Sequence, residues 1–283
     1  MIHACIDMTV DPALAAEAAR SETLENEPLV IPGTYMGNTN LDARFSATIL
    51  TGKKWENGRT LKIAFSKAFP TVVLEKVKQR FRVVESFVNL KFEFVDDWSS
   101  TDIRVANDLG GGSWSFIGTD NKTIDRSKAT MNFGWLEPKT ADSEYDRTVI
   151  HEAFHMLGMP HEHQHPRNGI PWDKPKVYEY YMRPPNNWSR EQVDHNLFRK
   201  YSETVTQFTE FDRESIMLYP IPNELTIGDF WAGRNTRPSA RDIAFLAEQY
   251  PKPQAPTKPT PTDPKTMSRF DFAKAPIASL VQE

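Results

Sequence analysis

The stretch His151-Glu152-Ala153-Phe154-His155-Met156-Leu157-Gly158-Met159-Pro160-His161, HEAFHMLGMPH, decides how the rest of the chain is read. Residues four apart share a helix face, so His151 and His155 aim two imidazoles at one point, with Glu152 one step around. Gly158 falls where such a helix stops, because glycine accepts the left-handed backbone that turns a chain at a helix C-terminus. That turn brings His161 back toward the first two histidines. Three neutral imidazoles about one divalent ion, with a fourth position open to water, form the donor set of a catalytic zinc site. A structural site is closed by four protein ligands, usually including cysteine. The sequence holds a single cysteine, Cys5, which argues against a structural zinc.

This eleven-residue pattern, H-E-x-x-H-x-x-G-x-x-H, followed far downstream by Ser215-Ile216-Met217-Leu218-Tyr219, resembles the metzincin metalloproteases. His161 followed directly by Glu162, and the Ser-Ile-Met-x-Tyr stretch, look most like the astacin subgroup. The resemblance follows element order over roughly residues 55 to 250. It implies an α+β, zincin-like catalytic domain with a twisted, mostly parallel sheet, an antiparallel edge strand, a zinc helix and a small irregular C-terminal subdomain. It also implies a zinc-dependent endopeptidase acting on proteins or peptides through one catalytic zinc ion. His151, His155 and His161 are the expected ligands. His163 and His165 lie close by, but only His161 keeps the family spacing. Glu152 is the expected general base and Met217 the apolar floor beneath the histidines. Tyr219 is expected to reach the metal at rest and to donate a hydrogen bond to the oxyanion. Glu162 corresponds to the glutamate that pairs with the N-terminus of processed astacins, and Leu218 stands where those enzymes commonly have histidine.

Composition bounds the alternatives. The 283 residues suffice for one substantial core or two small ones, and 39% hydrophobic with 25% charged residues is ordinary for a globular chain. A net charge of −4 without lysine or arginine clusters argues against a nucleic-acid partner. No apolar run approaches the roughly 20 residues needed to span a bilayer. The resemblance implies a protein or peptide substrate as the partner, and the expected state is a monomer. One cysteine permits no intrachain disulfide, unlike animal astacins, and the first residues lack the basic and apolar regions of a secretory signal. Localisation stays open between a cytoplasmic protein, non-classical export and a signal removed beforehand.

Around the motif the chain divides into an N-terminal extension (1–30), a catalytic domain (31–252) and a proline-rich tail (253–283) with six prolines between Pro251 and Pro264. The alanine-rich stretch from Pro12 to Glu27 predicts a short helix. Two readings of the extension stand side by side: a loosely docked or flexible segment, or a pro-segment whose Cys5 or Asp7 blocks the zinc. Alternation at Leu61, Ile63 and Phe65 predicts a strand. Val73, Val77, Phe81, Val84 and Val88 predict an amphipathic helix capped at Thr71. Phe92 with Phe94, Ile103 with Val105, and Met131 with Phe133 predict three further strands. Gly112, Ser113, Trp114 and Ser115, between the last two, are either a flexible loop with an edge strand or, as the resemblance implies, the substrate-binding edge, which takes an extended peptide by strand addition. Trp114 then covers the zinc side or walls a subsite. Ser143 with Asp146 predicts the start of the zinc helix, Ser189 with Gln192 a later helix, and Ser239 with Asp242 the last one. That last helix is expected to bury Ile243, Leu246, Ala247 and Tyr250. A non-catalytic zinc-binding interaction protein and a latent zymogen are the competing readings of the whole.

Overall fold

The structure is a computed structural model that describes residues 5–6, 8–25, 53–184, 186–200 and 210–253. The chain divides into a compact unit, Met1–Lys252, and a second, Pro253–Glu283, of which all but Pro253 lies outside the described residues. Five strands form one sheet in the order β2-β1-β3-β5-β4. They are β1 (Thr60–Phe65), β2 (Lys91–Val95), β3 (Ile103–Ala106), β4 (Trp114–Ser115) and β5 (Met131–Asn132). Pairings β1·β2, β1·β3 and β3·β5 are parallel, and β4 closes the edge antiparallel to β5, as expected. Parallel neighbours need long crossovers, and α2 (Thr71–Glu85) supplies the first, joining β1 to β2.

The core follows from the two periodicities. Leu61 and Ile63 alternate inward from β1, while α2 presents Val73, Val77, Phe81 and Val84 at helical spacing. Phe81 stands edge-on to Phe65, Phe92 and Phe94 with ring centroids 6.1 to 6.3 Å apart. Such edge-to-face pairs add about 0.5–1.5 kcal/mol each beyond area burial. The cap of α2 is Pro70, without a side-chain bond, so Thr71 is its first helical residue rather than its cap.

Helix α3 (Asp142–Met156) carries the histidine motif, with Tyr145 and Val149 in the core. It begins at Ala141, which makes no side-chain cap, and Ser143 lies inside the first turn. The backbone supplies the start instead: the N–H groups of Glu144 and Tyr145 donate to the Ala141 carbonyl. At the other end Gly158 has φ +101°, and Met159 N–H donates to the Phe154 carbonyl at 3.0 Å. The last carbonyls are taken by two distant donors: Trp55 Nε1–H bonds Met156 O and Tyr250 O–H bonds Leu157 O, both at 2.8 Å. The Tyr250 hydroxyl also accepts the Trp55 backbone N–H, which clasps the two together.

The lower part packs α4 (Lys174–Tyr181) against α5 (Arg190–Val193), which Ser189 and Gln192 close with a reciprocal capping box. Tyr181 and Trp188 stack at 5.0 Å, and with Val177, Val193, Leu197 and Tyr219 they form a second small core. The final helix, α6 (Ala240–Gln249), carries the capping box expected at Ser239 and Asp242. Its stripe differs from the expectation: Leu246 and the capping Tyr250 are buried, Ile243 is half-buried and Ala247 faces solvent. The buried side includes Asp242 and Gln249 instead. The expected N-terminal helix forms as α1 (Pro12–Glu25), packed against the 3-10 turn Gly118–Thr123.

Candidate metal centre

One turn of α3 sets the geometry. His151 and His155 project from the same face, their rings at right angles with centroids 4.7 Å apart. After the Gly158 turn, His161 Nε2 arrives 3.3 Å from His151 Nε2 and 3.0 Å from His155 Nε2. The outer nitrogens are fixed elsewhere: His151 Nδ1 lies 2.8 Å from the Ile216 carbonyl and His155 Nδ1 lies 2.7 Å from the Met159 carbonyl. A carbonyl only accepts, so both rings carry their proton on Nδ1 and direct the Nε2 lone pair inward. Burial and the neighbouring histidines hold His151 and His161 well below the usual histidine range, which keeps them neutral. Converging lone pairs repel one another unless a cation lies between them. This donor set therefore fits a zinc ion, and the carbonyls behind His151 and His155 are the outer partners that orient metal-binding imidazoles.

Glu152 is 1% exposed, and burial pushes its carboxyl up to about 8, opposed by a hydrogen bond from Cys5. That bond runs from Cys5 Sγ to Glu152 Oε2 at 3.3 Å. The Cys5 sulfur also falls in the cluster, where it and one nitrogen from each of His151, His155 and His161 all lie within 4.8 Å of one another. Asp7, the other candidate of the extension, lies outside the described residues. The segment runs beside the sheet edge: Ile6 N–H donates to the Ser113 carbonyl at 3.4 Å, and Tyr219 O–H donates to the Cys5 carbonyl.

Four expected cleft residues lie along that edge. Asn132 Nδ2 bonds the Gly112 carbonyl at 2.7 Å, Ser113 Oγ accepts Gly134 N–H, and Ser115 Oγ bonds the Phe116 carbonyl. Trp114 is half-exposed and packs edge-on to Phe116. Gly134 must be glycine here, since a Cβ would come within 2.3 Å of the Gly112 carbonyl oxygen.

Below the histidines, Met217 is fully buried in the main core, and Tyr219 faces the rings of His161 and His163. His163 and His165 are both buried: His163 is stacked on His161 and bonded to the Asn196 carbonyl at 2.5 Å, and His165 lies beside Phe211. His195 is half-buried. Glu162 accepts Asp212 N–H at 2.7 Å, and burial, with Asp242 and Asp212 nearby, raises its carboxyl to about 8 against that bond.

Asp242 was expected only as a helix cap. Its Oδ1 accepts Ser215 Oγ–H at 2.6 Å and its Oδ2 accepts the Ile216 N–H at 2.8 Å and Ser239 N–H at 2.9 Å. Ile216 is also the residue whose carbonyl lies against His151 Nδ1, so a cap on α6 reaches the histidine cluster in two steps. Sequence spacing carries no signal for that link, nor for the Trp55 and Tyr250 clasp.

A parallel-sheet domain whose helix carries H-E-x-x-H, with a third histidine folded back above a buried methionine turn, defines a zinc-dependent peptidase of the metzincin type. No protein-family model matches the chain, and no curated protein matches it. Among solved structures it is similar to myroilysin, at 45% identity over 71% of this chain and 97% of that one, with a TM-score of 0.69. A second myroilysin structure aligns at 46% identity over 71% and 86% of the two chains, with a TM-score of 0.56. A hatching enzyme zinc-protease from Oryzias latipes aligns at 14% identity and a TM-score of 0.48, over 76% and 98%, too distant to add to the assignment. The chain belongs to the astacin family of zinc metalloproteases. It is a zinc metalloendopeptidase with one catalytic zinc ion.

Proposed function

We propose that His151, His155 and His161 hold the zinc ion through Nε2 and that Glu152 is the general base of peptide-bond hydrolysis. A zinc ion bound there would polarise the scissile carbonyl and lower the pKa of a bound water to about 7. Glu152 takes the proton of the attacking water and returns it to the leaving amine nitrogen. Burial raises its carboxyl to about 8, and a cation beside it would favour the ionised form that a base requires. Tyr219 donates to the developing oxyanion; in support, its hydroxyl already bonds a peptide carbonyl beside the cluster, that of Cys5. Met217 forms the apolar floor, and an extended substrate runs along Gly112 to Ser115, where Ile6 already makes a main-chain bond. The observation that carries this reading is the approach of three inward-facing imidazole nitrogens, two of them from the helix that also carries the buried Glu152. Glu152→Gln should keep the zinc and lose roughly 10²–10⁴ in kcat. Full activity with the metal bound would overturn the assignment.

A second reading concerns the form of the protein described here. The Cys5 thiol sits among the three imidazoles and its carbonyl occupies the Tyr219 hydroxyl, so residues 5–6 take the places of water and substrate. As thiolate, Cys5 is a good fourth donor to zinc. The full chain is on this reading latent, and Cys5→Ser should raise its peptidase activity at least about tenfold. Equal rates for the two proteins, zinc-loaded, would dismiss latency.

A further inference from the structure

Helix α1 is fastened to the body at a point well apart from Cys5. Among its described side chains the buried apolar ones are Ala15, Ala16 and Ala18, each of which offers little apolar area. Glu22, on the same helix, is 2% exposed. Its Oε1 accepts the backbone N–H of Glu56 at 3.0 Å, and its Oε2 accepts Arg59 Nη1 at 2.7 Å and Lys122 Nζ at 3.1 Å. The seat is held from behind: Arg59 Nη2 bonds Asp102 at 3.0 Å, and its guanidinium lies 5.4 Å from the Trp55 ring. Lys122 belongs to the turn Gly118–Thr123, close after edge strand β4. A buried carboxylate is costly unless paired and hydrogen-bonded, and here both oxygens are.

We propose that Arg59, Lys122 and the Glu56 N–H form a carboxylate-binding seat, separate from the metal centre, that captures Glu22 and holds the N-terminal segment at a second point. Its ligand class is a glutamate side chain near the end of a short helix. This rests on the reading of residues 5–25 as an inhibitory segment. Two linked contacts raise each other's effective concentration. A thiol displaced from the metal centre is returned by the seated helix, and lasting release requires that Glu22 leave as well.

The test uses the full chain, metal-free, so that no metal bond holds Cys5, and measures the rate at which an aromatic disulfide reagent modifies that thiol. Losing charge-assisted bonds of this kind shifts an equilibrium by roughly 10- to 100-fold. Glu22→Gln should speed modification by that factor, and the exposed Glu17→Gln, on the same helix, should leave it unchanged. Lys122→Met should act in the same direction, and the double variant should gain less than the product of the two. A wild-type rate in Glu22→Gln overturns the seat. So does an acceleration matched by equal loss of hydrogen-exchange protection in α3, which would make Glu22 a general stabiliser. Failure of Cys5→Ser to raise activity would instead remove latency, and the metal-free thiol rates would still decide whether the seat holds the segment.

Discussion

Replacing Asp242 by asparagine tests whether the cap of α6 governs the metal ligands. Asparagine keeps the shape and one acceptor oxygen. With that oxygen toward Ile216 and Ser239, the amide NH₂ meets the Ser215 hydroxyl, which already accepts Met217 N–H at 3.0 Å. The hydroxyl then receives two donors while its own proton loses the 2.6 Å bond to the carboxylate. The cost is one buried charge-assisted bond, about 1.5–3 kcal/mol, or roughly 3–12 °C in melting temperature for a domain of this size. Ser215 adjoins Ile216, whose carbonyl orients His151, so disturbing that hydroxyl should weaken zinc binding as well, with the about 10- to 100-fold loss of a whole outer partner as the upper bound. Thermal unfolding with and without metal gives the first quantity, and competition with a chromophoric chelator gives the second. Ser239→Ala is the control, since it removes a cap worth about 1 kcal/mol and leaves the Asp242 bonds to Ser215 and Ile216 in place. If Asp242→Asn binds zinc as tightly as Ser239→Ala, the coupling argued from these bonds is wrong.

Two further outcomes are expected. At Gly158, φ of +101° is strained for any L side chain, so Gly158→Ala should cost at least about 1–2 kcal/mol in thermal unfolding and weaken zinc binding by displacing His161. Glu144 is held below its ordinary value of 4.5: burial opposes its ionisation, but Arg147 and Arg234 outweigh it. A lowered folded pKa adds stability above the unfolded value and loses it as pH falls through the folded one. Below about pH 4.5 the wild type should therefore lose melting temperature faster than Glu144→Gln, and parallel acid melts of the two would contradict the pairing.

The sequence was most informative where one local rule sufficed. Alternation along Leu61, Ile63 and Phe65, the valine and phenylalanine ladder of α2, the Gly158 turn, and the Ser189 and Ser239 boxes are each written within a few residues. The histidine cluster belongs with them, because helical spacing plus one turn brings its members together. At Ser143 a local pattern misled: Ser-x-x-Asp was present, but the backbone at Ala141 had already started the helix. The exposure of Ala247 reflects a narrower contact face than four apolar positions suggest, with Leu246 and Tyr250 filling it. The docking of α1 was hidden because alanines carry no amphipathic signal, and Glu22, which fastens it, is a carboxylate that reads as a surface charge. Links from Asp242 to the methionine turn join residues 26 and 27 positions apart, beyond any periodicity.

The clasp on the last carbonyls of the zinc helix joins the two margins of the catalytic chain, Trp55 near its beginning and Tyr250 near its end. Trimming past either residue strips a donor from the turn that delivers His161, even though both ends are remote from that histidine in sequence. A fragment meant to keep that turn intact should therefore retain both aromatic side chains. During synthesis from the N-terminus, the turn before His161 gains its last side-chain donor only after Tyr250 has been added.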